Sequence, residues 1–136
     1  MRAKLVYNSS ILNREDNVMA KFKLFQIHLT DAEVDLINEE GHDAVHKQSL
    51  KLDMGLRKND TGMIAADAFR RGYYTHVSNI TADTLEGVFT VGNMGPEENI
   101  ERLAPMYSCS VGDIVEDETG YQKVVANFGF AEVNYS

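Results

Sequence analysis

Residues 22–33 read FKLFQIHLTDAE, and this stretch carries both kinds of local structure on which the fold is built. Its first eight residues are rich in aromatic and aliphatic side chains, which is typical of a β-strand. Thr30 and Glu33 then have the spacing of a capping box, in which the threonine hydroxyl accepts from the glutamate amide and the glutamate reaches back. We therefore predict a strand that leads directly into a helix from Asp31 to Glu40, ended by Gly41.

Further helices and strands are predicted as the chain continues. Residues 50–56 alternate apolar and polar side chains with a period of two, which favours a half-buried strand. The patterns that follow predict a helix from Met63 to Arg71, a strand from Tyr73 to Ile80, a helix starting at Thr81, and one or two helical turns between Pro96 and Leu103.

The C-terminal third has only strand and turn signals. We predict a small antiparallel sheet there, with the Phe128 ring buried in the core, so that Phe128→Ala would cost roughly 3 to 5 kcal/mol. Its strands are predicted at Tyr107–Cys109, Asp113–Val115, Tyr121–Asn127 and Phe130–Val133.

Together these signals predict one compact α+β domain over residues 19–136, in which short helices pack on a small antiparallel sheet and the C-terminal third is all β. Residues 1–18 contain a polar, turn-prone segment, and we expect them to be peripheral to that domain.

The composition limits the class of protein. The chain has 136 residues, of which 43% are hydrophobic and 25% charged, which excludes a disordered, collagen-like or disulfide-stapled protein. Its apolar runs are far shorter than the roughly 20 residues that span a bilayer. The lone Cys109 excludes an internal disulfide and the zinc sites built on paired cysteines. We expect a cytoplasmic protein without a membrane segment.

The negative charge is concentrated at one end of the sequence. Residues 1–80 contain eleven acidic and eleven basic side chains, whereas the last 56 residues contain ten acidic side chains against Arg102 and Lys123. The whole net charge of −8 therefore belongs to residues 81–136. Such a field repels nucleic-acid phosphates and anionic membranes, and it favours a partner with a basic surface or groove.

Several phrases of the sequence resemble a known family. Residues 83–89 (DTLEGVF), 104–115 (APMYSCSVGDIV) and 124–130 (VVANFGF) are similar to those of small, mostly uncharacterised proteins of bacteriophages and other mobile elements. The similarity extends over about residues 20 to 134. It implies a phage-type origin and the cytoplasm of an infected bacterium as the location, but it supplies no catalytic residues.

Two acidic clusters are the main candidate site. Each cluster alone is ordinary for a solvated helix start or turn, and an acidic surface can serve solubility only. Two of them in a segment with two cations favour a non-enzymatic protein that modulates a basic host protein in host takeover or anti-defence, with nucleic-acid mimicry as one way of binding it. The candidate partner-binding residues are Glu97, Glu98, Glu101, Asp113, Glu116, Asp117 and Glu118.

Two other functions remain open. A small nucleic-acid-binding module could use cations beside aromatic rings, although an overall acidic chain disfavours it; its residues would be Arg57, Lys58, Arg70, Arg71, Tyr73 and Tyr74. A metal-dependent hydrolase could use His42 and His46, which are four residues apart, although the expected glutamate is missing and solvated histidines explain them better. Cys109 has no base among its sequence neighbours, so we expect a buried structural thiol, and neither a catalytic residue nor a cofactor is predicted.

Overall fold

The computed structural model describes residues 19–56 and 60–135, and in these ranges the chain forms six strands and four α-helices. The strands β1 to β6 span Ala20–Ile27, Tyr74–Ala82, Ile100–Arg102, Ile114–Glu116, Gln122–Val125 and Phe130–Glu132. The helices α1 to α4 span Asp31–Glu40, His46–Leu56, Thr61–Arg70 and Leu85–Met94. The expectation for residues 1–18 falls outside the described residues. None of the helices in the described ranges has the length and apolar character needed to cross a bilayer.

All six strands belong to one antiparallel sheet with the order β3-β2-β1-β4-β5-β6. The predicted single α+β domain is therefore confirmed. The C-terminal strands do not form a sheet of their own, however, because β4 pairs with β1, the first described strand of the chain.

Helices cover both faces of this sheet. Ile114 and Val115 are consecutive in β4, so their side chains point to opposite faces. Ile114 packs in a buried cluster with Met54 of α2 and with alanines of α3. Val115 packs in a second cluster with Val88 of α4. The protein thus has two cores, one on each side of the sheet.

The start of α1 is as the sequence predicts. The Glu33 amide donates to Thr30 Oγ1 at 3.1 Å, and the Thr30 amide donates to Glu33 Oε1 at 2.7 Å. The helix ends where Gly41 takes φ 98°, a conformation that side chains other than glycine rarely adopt. Both ends of the helix are therefore determined by local interactions.

The strand predicted at residues 50–56 is wrong, because these residues form the second half of α2. Leu50 and Met54 are buried, whereas Leu52 and Leu56 are exposed. Residues four apart lie on the same face of a helix, so every second member of a period-two pattern also fits a helix. The helix forms because it buries Leu50 and Met54 against the sheet.

Other boundaries differ from the prediction. Residues 81 and 82 still belong to β2, and α4 begins after the N-cap Thr84. Residues 97–99 form a 3₁₀ turn before β3, and residues 107–109 have no strand. The burial predicted for Phe128 is also wrong: it lies at the tip of the β5–β6 hairpin and is 84% exposed.

Candidate functional site

A row of polar side chains crosses five neighbouring strands. Lys23 in β1 lies opposite Asn79 in β2 on one side and Glu116 in β4 on the other. Asn79 in turn lies opposite Glu101 in β3, and Glu116 lies opposite Gln122 in β5. Residues directly opposite one another in an antiparallel sheet project on the same face. We call these five side chains the polar row.

The glutamates of the polar row are held by their neighbours. Asn79 Nδ2 donates to Glu101 Oε1 at 2.9 Å, and Gln122 Nε2 donates to Glu116 Oε1 at 2.8 Å. Lys23 Nζ is 3.7 Å from the other oxygen of Glu116. Three strand spacings separate Glu101 from Glu116, which corresponds to roughly 14 Å. Glu101 and Glu116, one residue from each of the two sequence clusters, are therefore on one face, but they are not in contact.

The polar row lies on the part of its sheet face that α2 and α3 do not cover. Farther along the same strands, Phe25 and Ile114 pack against these two helices. At the row itself Lys23 and Glu101 are exposed. A shallow depression of about 430 Å³ lies there, lined by Lys21, Lys23, Asn79 and residues 116–120.

The β4–β5 turn adds two carboxylates at the edge of this depression. Asp117 Oδ1 accepts from the hydroxyl and the amide of Thr119, at 2.6 and 2.9 Å, and from the Tyr121 amide at 3.1 Å. These hydrogen bonds, led by the Thr119 hydroxyl, lower the pKa of Asp117 and keep it ionised. The next residue, Glu118, is exposed. The turn therefore holds the charge of Asp117 in a fixed position.

The β3 side of the acidic segment is partly neutralised. Both carboxylate oxygens of Glu97 accept from Arg102, at 2.6 and 3.0 Å, and this pairing lowers the pKa of Glu97. Arg102 follows Glu101 directly in β3, so its side chain leaves on the opposite face. Glu97 is thereby drawn away from the polar row. Glu98 is exposed in the turn before β3.

Asp113 lies inside the protein, although the sequence grouped it with the surface acids. It is 3% exposed, and its Oδ2 accepts from Gln26 Nε2 and from the Ser110 amide, each at 3.0 Å. Burial raises the pKa of Asp113 to about 6, because the ionised carboxylate loses its contact with water. Asp113 therefore does not belong to a surface that a partner could reach.

Gln26 is a structural residue that the sequence does not single out. Its side-chain amide donates to the Tyr107 carbonyl at 3.0 Å and accepts from the Tyr107 amide at 2.9 Å, besides its bond to Asp113. It thus ties the irregular segment around residues 107–113 to β1. The one available signal is a polar residue within an apolar strand pattern.

The other sequence candidates have structural partners. Cys109 is buried, and burial raises the pKa of its thiol to about 12, so it is a poor nucleophile. His46 Nδ1 lies 2.9 Å from the Tyr73 hydroxyl, and His42 Nδ1 lies 3.4 Å from Gln48 Nε2. No group of three or more metal-ligating side chains occurs within residues 19–56 and 60–135.

Of the residues proposed for nucleic-acid binding, the four that the structure describes do not form an open basic surface. Arg71 pairs with Asp67 at 3.1 Å, and the Arg70 guanidinium lies over the Tyr135 ring. Tyr74 points inward and donates its hydroxyl to the Gly112 carbonyl at 2.6 Å. Arg57 and Lys58 lie outside the described residues.

Comparisons of this chain with protein-family models, with curated proteins and with solved structures find no significant match.

Proposed function

We propose that this protein is a non-enzymatic binding protein that docks on a partner through the uncovered polar row and the neighbouring β4–β5 turn. The observation that carries the proposal is the strand register, which places Glu101 and Glu116 on one exposed face, next to Asp117 and Glu118. We further propose, from the resemblance of its sequence phrases to those of bacteriophage proteins, that the partner is a bacterial host protein.

The charges on this face limit the class of partner that could bind it. Lys21 and Lys23 line the same depression as Glu116, Asp117 and Glu118, so the surface carries both signs with an acidic excess. A mimic of a phosphate backbone would need an unbroken series of anions. We therefore propose a protein partner whose contact patch is mainly basic but includes an acceptor for lysine, which fixes its orientation as well as its affinity.

The test is a double neutralisation, Glu101→Gln with Glu118→Gln. Both side chains are exposed, so the free energy of unfolding should change by less than about 0.5 kcal/mol. Association with bacterial proteins captured by the wild-type chain should slow several-fold, and its salt dependence should become flatter, because exposed charges act mainly on the on-rate.

The matched control is Glu39→Gln with Glu40→Gln, which removes the same net charge from the exposed end of α1. This helix begins after the C-terminal end of β1, whereas Lys23 lies in the N-terminal half of that strand. Equal slowing in both double variants would show that only the net charge matters, and it would contradict a specific face. Binding to nucleic acid in a mobility-shift titration at about 0.15 M salt would favour the alternative function instead.

A further inference from the structure

The two edges of the sheet differ in how they are covered. At the β6 edge, Gly62 of α3 approaches the Glu132 carbonyl so closely that a Cβ on this glycine would overlap it. The Asn134 amide also donates to the Gly62 carbonyl, at 3.0 Å. The opposite edge is β3, and β2 is the only described strand that pairs with it. Within residues 19–56 and 60–135, β3 is thus the open edge of the sheet.

The pairing with β2 determines which backbone groups of β3 face outward. The Leu103 amide donates to the Val77 carbonyl at 2.8 Å, so the backbone groups of Leu103 face β2. In an antiparallel pair the residues of one strand alternate in this respect, and Glu101 therefore also faces β2. The backbone groups of Ile100 and Arg102 point away from the sheet.

Most of these outward groups are free to pair with an added strand. The Ile100 amide donates to the Glu97 carbonyl in the preceding turn. The Ile100 carbonyl and both backbone groups of Arg102 have no hydrogen-bond partner among the described residues. Arg102 is also exposed. Unpaired groups at a sheet edge are a template for an extended segment of another chain.

The charge at this edge determines the kind of segment that fits. Glu101 projects on the face of the polar row, and Glu98 is exposed in the turn before β3. Residues 97–102 contain three glutamates and one arginine, so the edge is acidic. Side chains directly opposite each other on neighbouring strands attract when their charges are opposite. A lysine or arginine opposite Glu101 is therefore favoured.

The same charges disfavour a second copy of β3 as the added strand. An antiparallel pair of two copies centred on Arg102 would set this side chain opposite its own counterpart. A pair centred on Glu101 would do the same with the glutamate. Because like charges directly opposite one another destabilise a sheet, we expect the added strand to come from a different protein.

A depression on the other face lies next to the same edge. It has a volume of about 380 Å³, and its lining includes Ile100 and Arg102 of β3 together with Met94 and Met106. Side chains of a strand alternate between the two faces, so the neighbours of the residue opposite Glu101 would lie at this depression. Methionine side chains adapt to apolar groups of different shapes. A segment that alternates basic and apolar residues therefore fits both faces.

We propose that the partner adds an extended segment to β3, with a lysine or arginine opposite Glu101 and apolar residues at the neighbouring positions. This inference rests on the proposed function, since it describes how a basic partner engages the β3 end of the polar row. Main-chain hydrogen bonds to Ile100 and Arg102 supply affinity in such a complex, and the side chains supply selectivity.

The test uses the peptide lysine-valine-lysine-valine-lysine-valine, acetylated and amidated at its ends, as the probe. It is titrated into the isotope-labelled full chain at about 0.15 M salt and followed by NMR. The largest shifts of amide resonances should occur in Ile100–Arg102. When lysine lies opposite Glu101, the backbone groups of the flanking valines face β3.

Two methylated peptides of equal composition and charge separate strand pairing from charge. N-methylation of the valines removes the N–H groups that face β3 and adds bulk there, so binding should weaken at least about 10-fold. N-methylation of the lysines alters groups that point away from β3, so binding should stay within about twofold.

A variant of the protein tests the role of the glutamate in the same titration. Glu101→Gln should weaken binding of the unmethylated peptide about two- to fivefold, as expected for a cross-strand pair of opposite charges. The matched control is Glu40→Gln, which removes one exposed charge from the end of α1 and should leave binding unchanged.

Three results would overturn strand addition to β3. The first is the absence of binding at about 1 mM peptide, and the second is equal weakening by both methylated peptides, which would show that charge alone binds the probe. The third is a wild-type dimer in sedimentation velocity that the peptide dissociates, which would assign the edge to a second copy.

Failure of the proposed function would look different. If Glu101→Gln with Glu118→Gln associated with the captured proteins as its Glu39 and Glu40 control does, the proposed function would be wrong. Selective binding of the lysine-methylated peptide would still support strand addition. If the double variant slowed association but both methylated peptides bound equally, strand addition alone would be wrong.

Discussion

Replacing Asp113 with asparagine should remove a pH dependence of stability that this one carboxyl creates. Asp113 Oδ2 accepts hydrogen bonds from the Gln26 side chain and the Ser110 amide, so a single amide oxygen can take its place. The substitution therefore keeps the hydrogen bonds and removes the buried negative charge. Its effect on the free energy of unfolding reports the cost of that charge.

The magnitude follows from the raised pKa. Asp113 titrates near pH 6 in the folded protein and near 3.8 in an unfolded chain, so the folded state holds this proton more tightly. Stability contributed by this group must then rise as the pH falls from above 6 towards 3.8. Between pH 7 and pH 5 the wild-type chain should gain about 1.3 kcal/mol from it, and Asp113→Asn should gain nothing.

The assay is urea unfolding of both proteins at pH 7 and pH 5. Burial and the nearby lysines lower the pKa of His28, which opposes the gain in the same pH range, but this contribution cancels in the difference between wild type and variant. The carboxylates whose pKa is lowered, Glu33, Glu97 and Asp117, lose their stabilisation only at more acidic pH. A difference between the two proteins that stays constant from pH 7 to pH 5 would refute the reasoning.

Four further predictions follow from packing and burial. Met54→Ala should destabilise the protein by roughly 2 to 5 kcal/mol in urea unfolding, whereas Leu52→Ala in the same helix should cost much less, and similar losses would contradict the assignment of faces to α2. Gly62→Ala should cost roughly 1 to 3 kcal/mol, because its Cβ would lie 2.1 Å from a backbone oxygen of β6. A Cβ at Gly55 would meet nothing within 4 Å, so Gly55→Ala should instead stabilise α2 by about 0.5 to 1 kcal/mol. If urea unfolding shows that both glycine variants change stability in the same direction, this reasoning is wrong. Cys109 should resist alkylation at pH 8 until the protein unfolds, and rapid labelling of native protein would argue against its burial.

Features set by neighbouring residues could be predicted from the sequence. The capping box at Thr30 and the glycine at 41 determine α1 with interactions between residues a few positions apart, and both of its ends are as predicted. Neighbouring residues did not decide between strand and helix at residues 50–56. Their period-two pattern fits both structures, and only the packing of Leu50 and Met54 against the sheet distinguishes them.

The candidate site depended on longer distances along the chain. The sequence shows that its last 56 residues hold the excess of acidic side chains. Of these, Glu101 and Glu118 are exposed, and Glu116 and Asp117 are partly exposed. The sequence could not show that Asp113 is buried, because the burial comes partly from Gln26, 87 residues earlier.

By itself, then, the sequence determined the α+β class, the ends of α1 and the place of the negative charge, because each depends on composition or on neighbouring residues. The tertiary structure alone decided which acids are exposed, which leucines face outward, and that Glu101 and Glu116 share a face through the register of four strands. The physical reason is that strand pairing and burial are set by contacts between residues far apart in the chain. Local propensity and periodicity carry no information about those contacts.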